Sequence, residues 1–359
     1  MKNRWFTPLL VITTCGSAAA HFFLTNEPIR FAVASLSLLL WAALLGKATE
    51  AVAHYAGERL GGFLNATFGN AAELIIAIFL VKKGLFDMVK ASLTGSIIGN
   101  LLLVLGLSLF FGGLKYKTQS FNTMLAGHNA SLMLLAVIVL FVPAAFHGGL
   151  DQQEVRTVSL VISGLLILGY LLWLVFSMIT HKKELGEEPA GTKEADANFI
   201  PPTVDEPAWS RGVSILLLVV STFFIALQSE WMVGSIESVA HALGWSELFV
   251  GAFLIAIIGN AAEHSAAIFL AMKNRMGAAV EIAVGSSLQI SLFVAPTLVF
   301  ISLLFGRPMD LTFTPYELAA IAVSAFIASS ISRDGSTNWF EGVLLLIVYA
   351  ILGTVFYLV

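Results

Sequence analysis

Long apolar runs separated by short polar segments make up most of the chain. A helix that crosses the apolar part of a bilayer needs about 20 residues, and many runs approach or exceed that length. We predict helices near residues 6–25, 29–56, 61–81, 87–112, 124–143, 155–180, 212–242, 247–271, 278–305, 314–331 and 338–358. The second and seventh runs exceed what a bilayer requires, so we expect those helices to tilt or bend. The pattern predicts an all-α polytopic membrane protein with about eleven transmembrane helices.

Composition supports this class and excludes others. Hydrophobic residues make up 58% of the chain and charged residues 12%, whereas about 25% is usual for charged residues in soluble domains. Cys15 is the only cysteine, so neither an internal disulfide nor a thiolate metal site can form. The net charge is −4, and the sequence has no basic cluster of the kind that binds nucleic acid. We expect a lipid bilayer around the protein and no cofactor, and a homo-oligomer is compatible with the pattern.

An internal repeat carries the most informative polar residues. Residues 69–80 read GNAAELIIAIFL and residues 259–270 read GNAAEHSAAIFL, identical at nine of twelve positions with an offset of 190. Glu50 and Glu237 head a further matching stretch at an offset of 187. The two GNAAE copies fall in the third and eighth predicted helices. An odd number of crossings separates them, so the sequence predicts an inverted repeat, an arrangement common in secondary transporters.

The repeat and one polar segment divide the chain. Residues 181–210 contain seven acidic and three basic residues, with Pro201 next to Pro202. We interpret this stretch as an acidic cytoplasmic linker, either a plain solvated loop or a weak cation-binding segment. The predicted organisation is an N-terminal extra helix (1–28), a first five-helix repeat (29–180), the linker (181–210) and a second five-helix repeat (211–359). Most Lys and Arg residues fall on one side when the N-terminus is cytoplasmic, which places the C-terminus outside.

Each GNAAE copy predicts half of a cation site. Asn70 and Glu73 share a helix face because they are three residues apart, and Gly69 should loosen the helix so that carbonyl groups can reach a cation. Gly259, Asn260 and Glu263 repeat this arrangement. Carboxylate, amide and carbonyl oxygens suit Ca²⁺. When the cation leaves, two charged carboxylates in low dielectric would take up protons, so the same residues can couple Ca²⁺ to H⁺.

Other polar residues in apolar helices extend the hypothesis. Ser96 and Asn100 in the first half, and Ser286 and Gln289 in the second, can hydrogen-bond the glutamates or contact the ion, although Ser is also common in plain helix packing. Glu50, Glu230 and Glu237 lie in the long second and seventh helices, where they could line a vestibule or form gates. A structural role for a single buried Glu is reasonable, but two in matched pentapeptides favour a shared site.

At these residues the chain resembles the cation/proton exchanger family of the Ca²⁺/cation antiporter superfamily. GNAAE at 69–73 and 259–263, GSIIGNLLLVLG at 95–106 and GSSLQISLFVAP at 285–296 carry the resemblance. It implies ten core helices plus an N-terminal one, Glu73 and Glu263 as the exchange carboxylates, and moving second and seventh helices. It also implies a prokaryotic cell membrane and the exchange of cytosolic Ca²⁺ for external H⁺, without enzymatic activity.

Two other functions stay open at this stage. A Na⁺/Ca²⁺ exchanger could share the fold, but such relatives typically carry Pro-containing GSSxPE or GTSxPD motifs, whereas Ala72 and Ala262 precede the glutamates here. A cation channel is a second alternative, although a channel has less need of an inverted repeat.

Overall fold

The computed structural model describes residues 5–181 and 209–359, and within them almost every long apolar run is a helix. In chain order the helices are α1 (Phe6–Phe23), α2 (Glu27–Phe68), α3 (Ala71–Lys83), α4 (Phe86–Tyr116), α5 (Thr123–Phe146), α6 (Gln152–Thr180), α7 (Arg211–Leu243), α8 (Glu247–Ala271), α9 (Met276–Leu304), α10 (Pro315–Ile331) and α11 (Trp339–Leu358). In the described ranges, ten of these are long and apolar enough to cross a membrane. The predicted acidic linker falls almost wholly outside the described residues.

The third helix differs from the prediction. We expected one span over 61–81, but α2 continues to Phe68, with a non-helical break at Gly57 (φ 80°, ψ 168°). A turn at Gly69 and Asn70 then separates α2 from α3. The 13 residues of α3 cover only about 20 Å, so α3 does not span a bilayer alone. The break at Gly57 falls just after the predicted end of the second run at residue 56, where a positive φ is open to glycine at little cost.

The starts of several helices follow from short-range hydrogen bonds. Asp151 with Glu154, Thr314 with Glu317 and Asn338 with Glu341 form capping boxes at the first turns of α6, α10 and α11. Each box satisfies backbone N–H groups that have no partner within the helix.

Within the described ranges, four helices contain a turn of wider π-helix. These turns cover Gly99–Val104 in α4, Phe176–Thr180 in α6, Val250–Ile255 in α8 and Ile290–Val294 in α9. The turns in α4 and α9 match at the repeat offset, and each follows the serine (Ser96 or Ser286) singled out in the sequence. Such turns are frequent at functional sites.

Glycines allow α4 and α8 to cross at very short range. A Cβ atom added at Gly95 would lie 1.9 Å from the carbonyl oxygen of Ala252, and one added at Gly251 would lie 2.6 Å from Cβ of Ala91. Both contacts are closer than side chains permit. Small residues in this role are common where membrane helices pack backbone to backbone, and here they join the first repeat to the second.

A second pair of helices, α2 and α7, packs side by side, and α1 lies against them. Ser17 on α1 donates a hydrogen bond of 2.6 Å to Gln228 on α7. Trp41 on α2 donates one of 2.9 Å to Thr14 on α1 and stacks on Phe224 of α7, with ring centroids 4.3 Å apart. The N-terminal extra helix is therefore bonded to both long helices.

A short two-stranded sheet, which we did not predict, joins the two halves at one end of the bundle. Strands β1 (Thr118–Ser120) and β2 (Ser336–Asn338) pair antiparallel. Gln119 on β1 also donates hydrogen bonds to the backbone oxygen of Ala271, at 3.0 Å, and to Oδ1 of Asn274, at 2.9 Å. This end therefore links the loops that follow α4, α8 and α10.

Candidate cation site

Glu73 lies where the chain breaks between α2 and α3. It is the third residue of α3 and only 7% exposed. Both of its carboxyl oxygens are buried, and neither has a hydrogen-bond partner among the residues that the structure describes. Two unsatisfied oxygens on one buried carboxyl group carry a large desolvation cost, which a proton or a cation would offset.

Glu263 reaches the same region from the other repeat. The backbone around it differs from the first copy, because Gly259 and Asn260 lie inside the continuous α8 rather than at a break. The predicted loosening at GNAAE is therefore confirmed for residues 69–70 and wrong for residues 259–260. Glu263 is half-buried, and Oε2 of its carboxyl group lies 2.8 Å from Oγ of Ser286 on α9.

The two carboxyl groups face each other across the repeat interface. A Cβ atom added at Gly259 would lie 3.0 Å from Cγ of Glu73, so the backbone of α8 passes directly beside the Glu73 side chain. Glu263 follows one turn later on α8, and the two carboxyl groups are close enough to interact electrostatically. The absence of a side chain at Gly259 therefore makes the approach of Glu73 to the second repeat possible.

Asn70 bonds to the second repeat. Its amide Nδ2 donates a hydrogen bond of 2.5 Å to Oε1 of Gln289, and its Oδ1 accepts one of 2.7 Å from Ser286. Ser286 thus lies between Asn70 and Glu263. Since a hydroxyl has one proton, it can donate to only one of these acceptors at a time, and a protonated Glu263 would supply the second proton.

Asn260 makes the corresponding contact in the other direction. Its Nδ2 donates hydrogen bonds of 2.8 Å to Oγ of Ser96 on α4 and to the backbone oxygen of Ala256. Ser96 and Ser286 match at the repeat offset, so each asparagine bonds the matching serine of the opposite repeat. Asn70, Asn260, Ser96, Ser286 and Gln289, all predicted as site residues, are brought together around the two glutamates.

Asn100 differs from the prediction. We expected it to support the glutamates, but its Oδ1 lies 3.1 Å from Nε2 of His264. His264 has no counterpart in the first copy, where Leu74 stands, and the helical rotation of about 100° per residue turns it from Glu263 towards α4. The contact between Asn100 and His264 was not predicted. One indication of this contact was present in the sequence: Asn100 and His264 are polar residues in apolar helices, and neither has a polar counterpart in the other repeat.

An open cavity leads from one end of the bundle to Glu263. It encloses about 1200 Å³ of empty space, counted with its open mouth, and Ser177 and Met178 in the last turn of α6 lie along its wall. Glu263, Ser286, Gln289 and Gly69 lie along the same cavity. Because α6 ends at Thr180, the mouth lies at the end of the bundle where residues 181 and 209 flank the acidic segment.

Glu230 and Glu237 lie away from the carboxyl pair, at the end of the bundle opposite the mouth. Nζ of Lys82 is 3.3 Å from Oε1 of Glu230, and Nζ of Lys83 is 3.7 Å from Oε2 of Glu237. Lys83 also donates a hydrogen bond of 2.9 Å to the backbone oxygen of Val233. These contacts bind the end of α3 to α7. Glu50 lies on an exposed part of α2, seven residues before Gly57.

The donor set at the repeat interface is oxygen-rich. It contains two carboxyl groups, amide oxygens and hydroxyls, and among the described residues no group of three or more His, Cys, Asp and Glu is placed to hold a metal ion. Hard divalent cations prefer oxygen ligands, and Ca²⁺ tolerates flexible geometry with mixed carboxylate and neutral donors. Chemically, the site can hold such a cation or take up protons in its place.

The fold and the site define an all-α polytopic membrane protein with a buried carboxyl pair between two repeats. The chain belongs to the sodium/calcium exchanger protein family, whose profile matches residues 27–179 and 213–358. It is 47% identical over 357 residues to a Ca²⁺/H⁺ antiporter, ChaA, of Bacillus subtilis, and the match covers 99% of both chains. It is 45% identical over 363 residues to a Ca²⁺/H⁺ antiporter of Aphanothece halophytica, covering 99% of this chain and 97% of the other.

A solved structure agrees with the fold. The chain is 41% identical to the Ca²⁺/H⁺ antiporter YfkE in its selenium-substituted crystal structure, with a TM-score of 0.84 over 99% of this chain and all of that one. The prediction of an all-α membrane fold and the resemblance to cation/proton exchangers are therefore confirmed.

Proposed function

We propose that the protein exchanges Ca²⁺ for H⁺ across a membrane and that Glu73 and Glu263 bind the two ions in competition. The observation that carries this proposal is the buried carboxyl pair: Glu73 has no hydrogen-bond partner among the described residues, and Glu263 faces it across the repeat interface. Two nearby carboxylates balance the charge of Ca²⁺. After Ca²⁺ leaves, burial and mutual repulsion disfavour two bare charges, so protons replace it.

Asn70, Asn260 and Ser286 complete the site in this proposal, and the glycines at 69 and 259 let backbone and carboxyl groups approach. Ser96 and Gln289 hold the asparagines through hydrogen bonds of 2.8 Å and 2.5 Å. Asn100 supports the site indirectly, through His264. The ion therefore contacts groups from both repeats at once, which is what a site shared between two access routes requires.

Access alternates between the two ends of the bundle. In this structure the cavity reaches Glu263 from one end, while the lysine contacts of α3 with α7 hold the other end together. Glu230 and Glu237 act as the outer gate, and Glu50 lines the inner vestibule. Two inverted five-helix repeats (29–180 and 211–359) with an additional N-terminal helix account for this arrangement.

The orientation follows the distribution of Lys and Arg residues. The N-terminus, the acidic segment and the cavity mouth face the cytoplasm, and the C-terminus lies outside. The membrane is that of a prokaryotic cell, as expected from the bacterial antiporters that the chain resembles. Ca²⁺ leaves the cytoplasm in exchange for external H⁺, and a homo-oligomer is compatible with the exposed apolar helix faces.

The closest competing function is Na⁺/Ca²⁺ exchange, because the family includes such proteins by name. Ca²⁺ uptake into everted vesicles separates the two functions. We expect a proton gradient to drive uptake and a Na⁺ gradient, with pH clamped, to have no effect. Uptake driven by Na⁺ alone would reject H⁺ coupling, and conductance without counter-ion movement would indicate a channel.

The site assignment is tested by Glu73→Gln and Glu263→Gln in the same vesicles. Glutamine keeps the shape of the side chain but cannot be ionised, so we expect either variant to lose Ca²⁺/H⁺ exchange while it still inserts and folds. Glu247→Gln is the matched control, since Glu247 is exposed at the start of α8, and it should transport normally. Near-normal exchange in either site variant would refute the assignment.

A further inference from the structure

A tyrosine on α6 borders the cavity that leads to Glu263. One face of α6 lies along this cavity and consists of Tyr170, Trp173, Leu174, Ser177 and Met178. Because Ser177 and Met178 are in the last turn of α6, Tyr170, about two turns earlier, is the member of this face farthest from the mouth. The cavity wall formed by α6 therefore ends in a phenol, on a helix that carries neither GNAAE copy.

Tyr170 and Glu263 lie at similar depth in the membrane. Tyr170 is ten residues before Thr180, where α6 ends, and Glu263 is eight residues before Ala271, where α8 ends. Both helices end on the side of the mouth, so these positions are about 15 Å and about 12 Å from that end. Half of the apolar bilayer thickness is about 15 Å, and both side chains therefore belong to the middle of the membrane.

The hydroxyl of Tyr170 has no hydrogen-bond partner in the described part of the chain. The residue is 4% exposed, and its Oη is buried. Its ring stacks on Phe293 of α9, with ring centroids 5.4 Å apart and an angle of 30° between the ring planes. Phe293 is four residues beyond Gln289, in the π-helical turn of α9. The stack therefore fixes the ring beside the part of α9 that bonds Asn70.

Packing alone does not account for this hydroxyl. Phenylalanine would form the same stack without a polar atom, and a buried hydroxyl that lacks a hydrogen bond destabilises the folded state. Such groups in proteins call for a partner that the protein itself does not supply, such as water or an ion. The cavity that Tyr170 borders also contains Glu263 and Ser286. A cation that binds beside these residues brings its water molecules to the same place.

We propose that Tyr170 is a further cation-binding residue, whose hydroxyl oxygen accepts a hydrogen bond from a water molecule of the hydrated divalent cation beside Glu263. This inference rests on the proposed function and adds a contact from α6 to a site built from α3, α8 and α9. Ca²⁺ takes about six to eight oxygen ligands, and water commonly supplies some of them. A hydrogen bond through such a water is nearly as favourable as a direct one.

The first measurement is thermal unfolding of the full chain in detergent at increasing Ca²⁺ concentration, for the parent and for Tyr170→Phe. Without Ca²⁺ we expect Tyr170→Phe to unfold at a higher temperature, because it loses an unpaired polar atom and keeps the ring stack. Ca²⁺ stabilises the folded state by an amount set by its concentration relative to Kd. The concentration needed for a given stabilisation should be about 2- to 10-fold higher in Tyr170→Phe, as expected for one neutral hydrogen bond.

The second measurement is Ca²⁺ uptake into everted vesicles, where the cavity mouth faces the medium. KM for Ca²⁺ should rise about 2- to 10-fold in Tyr170→Phe. The value of kcat should stay within about twofold, because the hydroxyl contributes to ion binding and is not one of the carboxyl groups that exchange protons. A purely structural role of Tyr170 would not separate KM from kcat in this way.

Tyr349→Phe is the matched control. The hydroxyl of Tyr349 on α11 is also buried and without a hydrogen-bond partner among the described residues, and its ring packs against Phe253, with centroids 5.3 Å apart. Tyr349 does not belong to the lining of the cavity. Tyr349→Phe should therefore also unfold at a higher temperature without Ca²⁺, but its Ca²⁺ dependence and its KM should equal those of the parent.

The same Ca²⁺ dependence in Tyr170→Phe and the parent would overturn the inference, as would equal shifts in the two tyrosine variants. A lower unfolding temperature of Tyr170→Phe without Ca²⁺ would also overturn it, because the hydroxyl would then have a partner within the protein. So would a fall in kcat at unchanged KM, since the hydroxyl would then act in turnover. Proton-driven Ca²⁺ uptake by the parent tests the proposed function separately from each of these outcomes.

Discussion

The Ser286 hydroxyl offers a sharp test of how the two repeats cooperate. Its oxygen lies 2.7 Å from Oδ1 of Asn70 and 2.8 Å from Oε2 of Glu263, and the residue is only 5% exposed. Ser286→Ala removes a hydroxyl that touches both a carboxyl group of the second repeat and an asparagine of the first. We expect the glutamate and the asparagine to lose their fixed positions.

The expected loss of Ca²⁺ affinity in Ser286→Ala follows from these contacts. A neutral hydrogen bond contributes about 0.5–1.5 kcal/mol net, and one to a charged group about 1.5–3 kcal/mol. Since one hydroxyl proton serves one acceptor at a time, the loss should be about 1–3 kcal/mol, or about 5- to 150-fold in apparent Ca²⁺ affinity. The measurement is KM for Ca²⁺ uptake into everted vesicles, with protein amount and thermal stability checked in detergent.

The neighbouring Ser287 provides the control. It is also buried, but its hydroxyl donates a 3.0 Å hydrogen bond to the backbone oxygen of Ala283 in its own helix and a longer one of 3.5 Å to the backbone oxygen of Ile97, and neither acceptor belongs to the site. Ser287→Ala should therefore leave KM almost unchanged. The reasoning is refuted if Ser286→Ala keeps the parent KM, or if both alanine variants weaken Ca²⁺ uptake equally.

Three more outcomes follow from the packing around the site. Gly259→Ala places a methyl group 3.0 Å from Cγ of Glu73, and displacement of that side chain should cost about 1–3 kcal/mol, seen as a higher KM. Gly127→Ala, with nothing within 4 Å of the added atom, should behave like the parent. Gly95→Ala would set a methyl group 1.9 Å from the backbone oxygen of Ala252, so we expect loss of a monodisperse, folded protein in size-exclusion chromatography. Finally, protons and Ca²⁺ share Glu73 and Glu263, so KM for Ca²⁺ should rise as pH falls, by up to about tenfold per pH unit for each competing proton; a constant KM between pH 6 and pH 8 would contradict shared carboxyl groups.

Hydropathy was sufficient to predict the helices, and the repeated pentapeptide was sufficient to predict the carboxyl pair. Both signals are local: an apolar run of bilayer length must satisfy its backbone within itself, and two matched buried glutamates are costly unless they are used. Asn70, Asn260, Ser96 and Ser286 were predictable for the same reason, since each is a polar group in an apolar helix at a repeated position.

The features that sequence reasoning missed depend on tertiary context. The predicted start of the third run was wrong because Gly57 and Gly69 can break a helix or lie inside one, and the neighbouring helices decide which. The pairing of β1 with β2 joins segments more than 200 residues apart, without a local pattern. The bond between His264 and Asn100 links two positions that the repeat does not match, so symmetry gave no indication of it.

The helix break at residues 69–70, which has no counterpart at residues 259–260, has an energetic consequence for the transport cycle. The same five residues occur in one molecule with two backbones, interrupted at 69–70 and continuous through 259–260. Identical residues have identical intrinsic preferences, so when one copy straightens and the other breaks, the local backbone costs cancel. The balance between the two forms is then left to packing and to ions, which need only a small differential affinity to shift it. In the form where the first copy is straight and the second is broken, α8 should break at Gly259 and Asn260. Glu50 should then approach Lys273, in the same way that Glu237 approaches Lys83 in this structure.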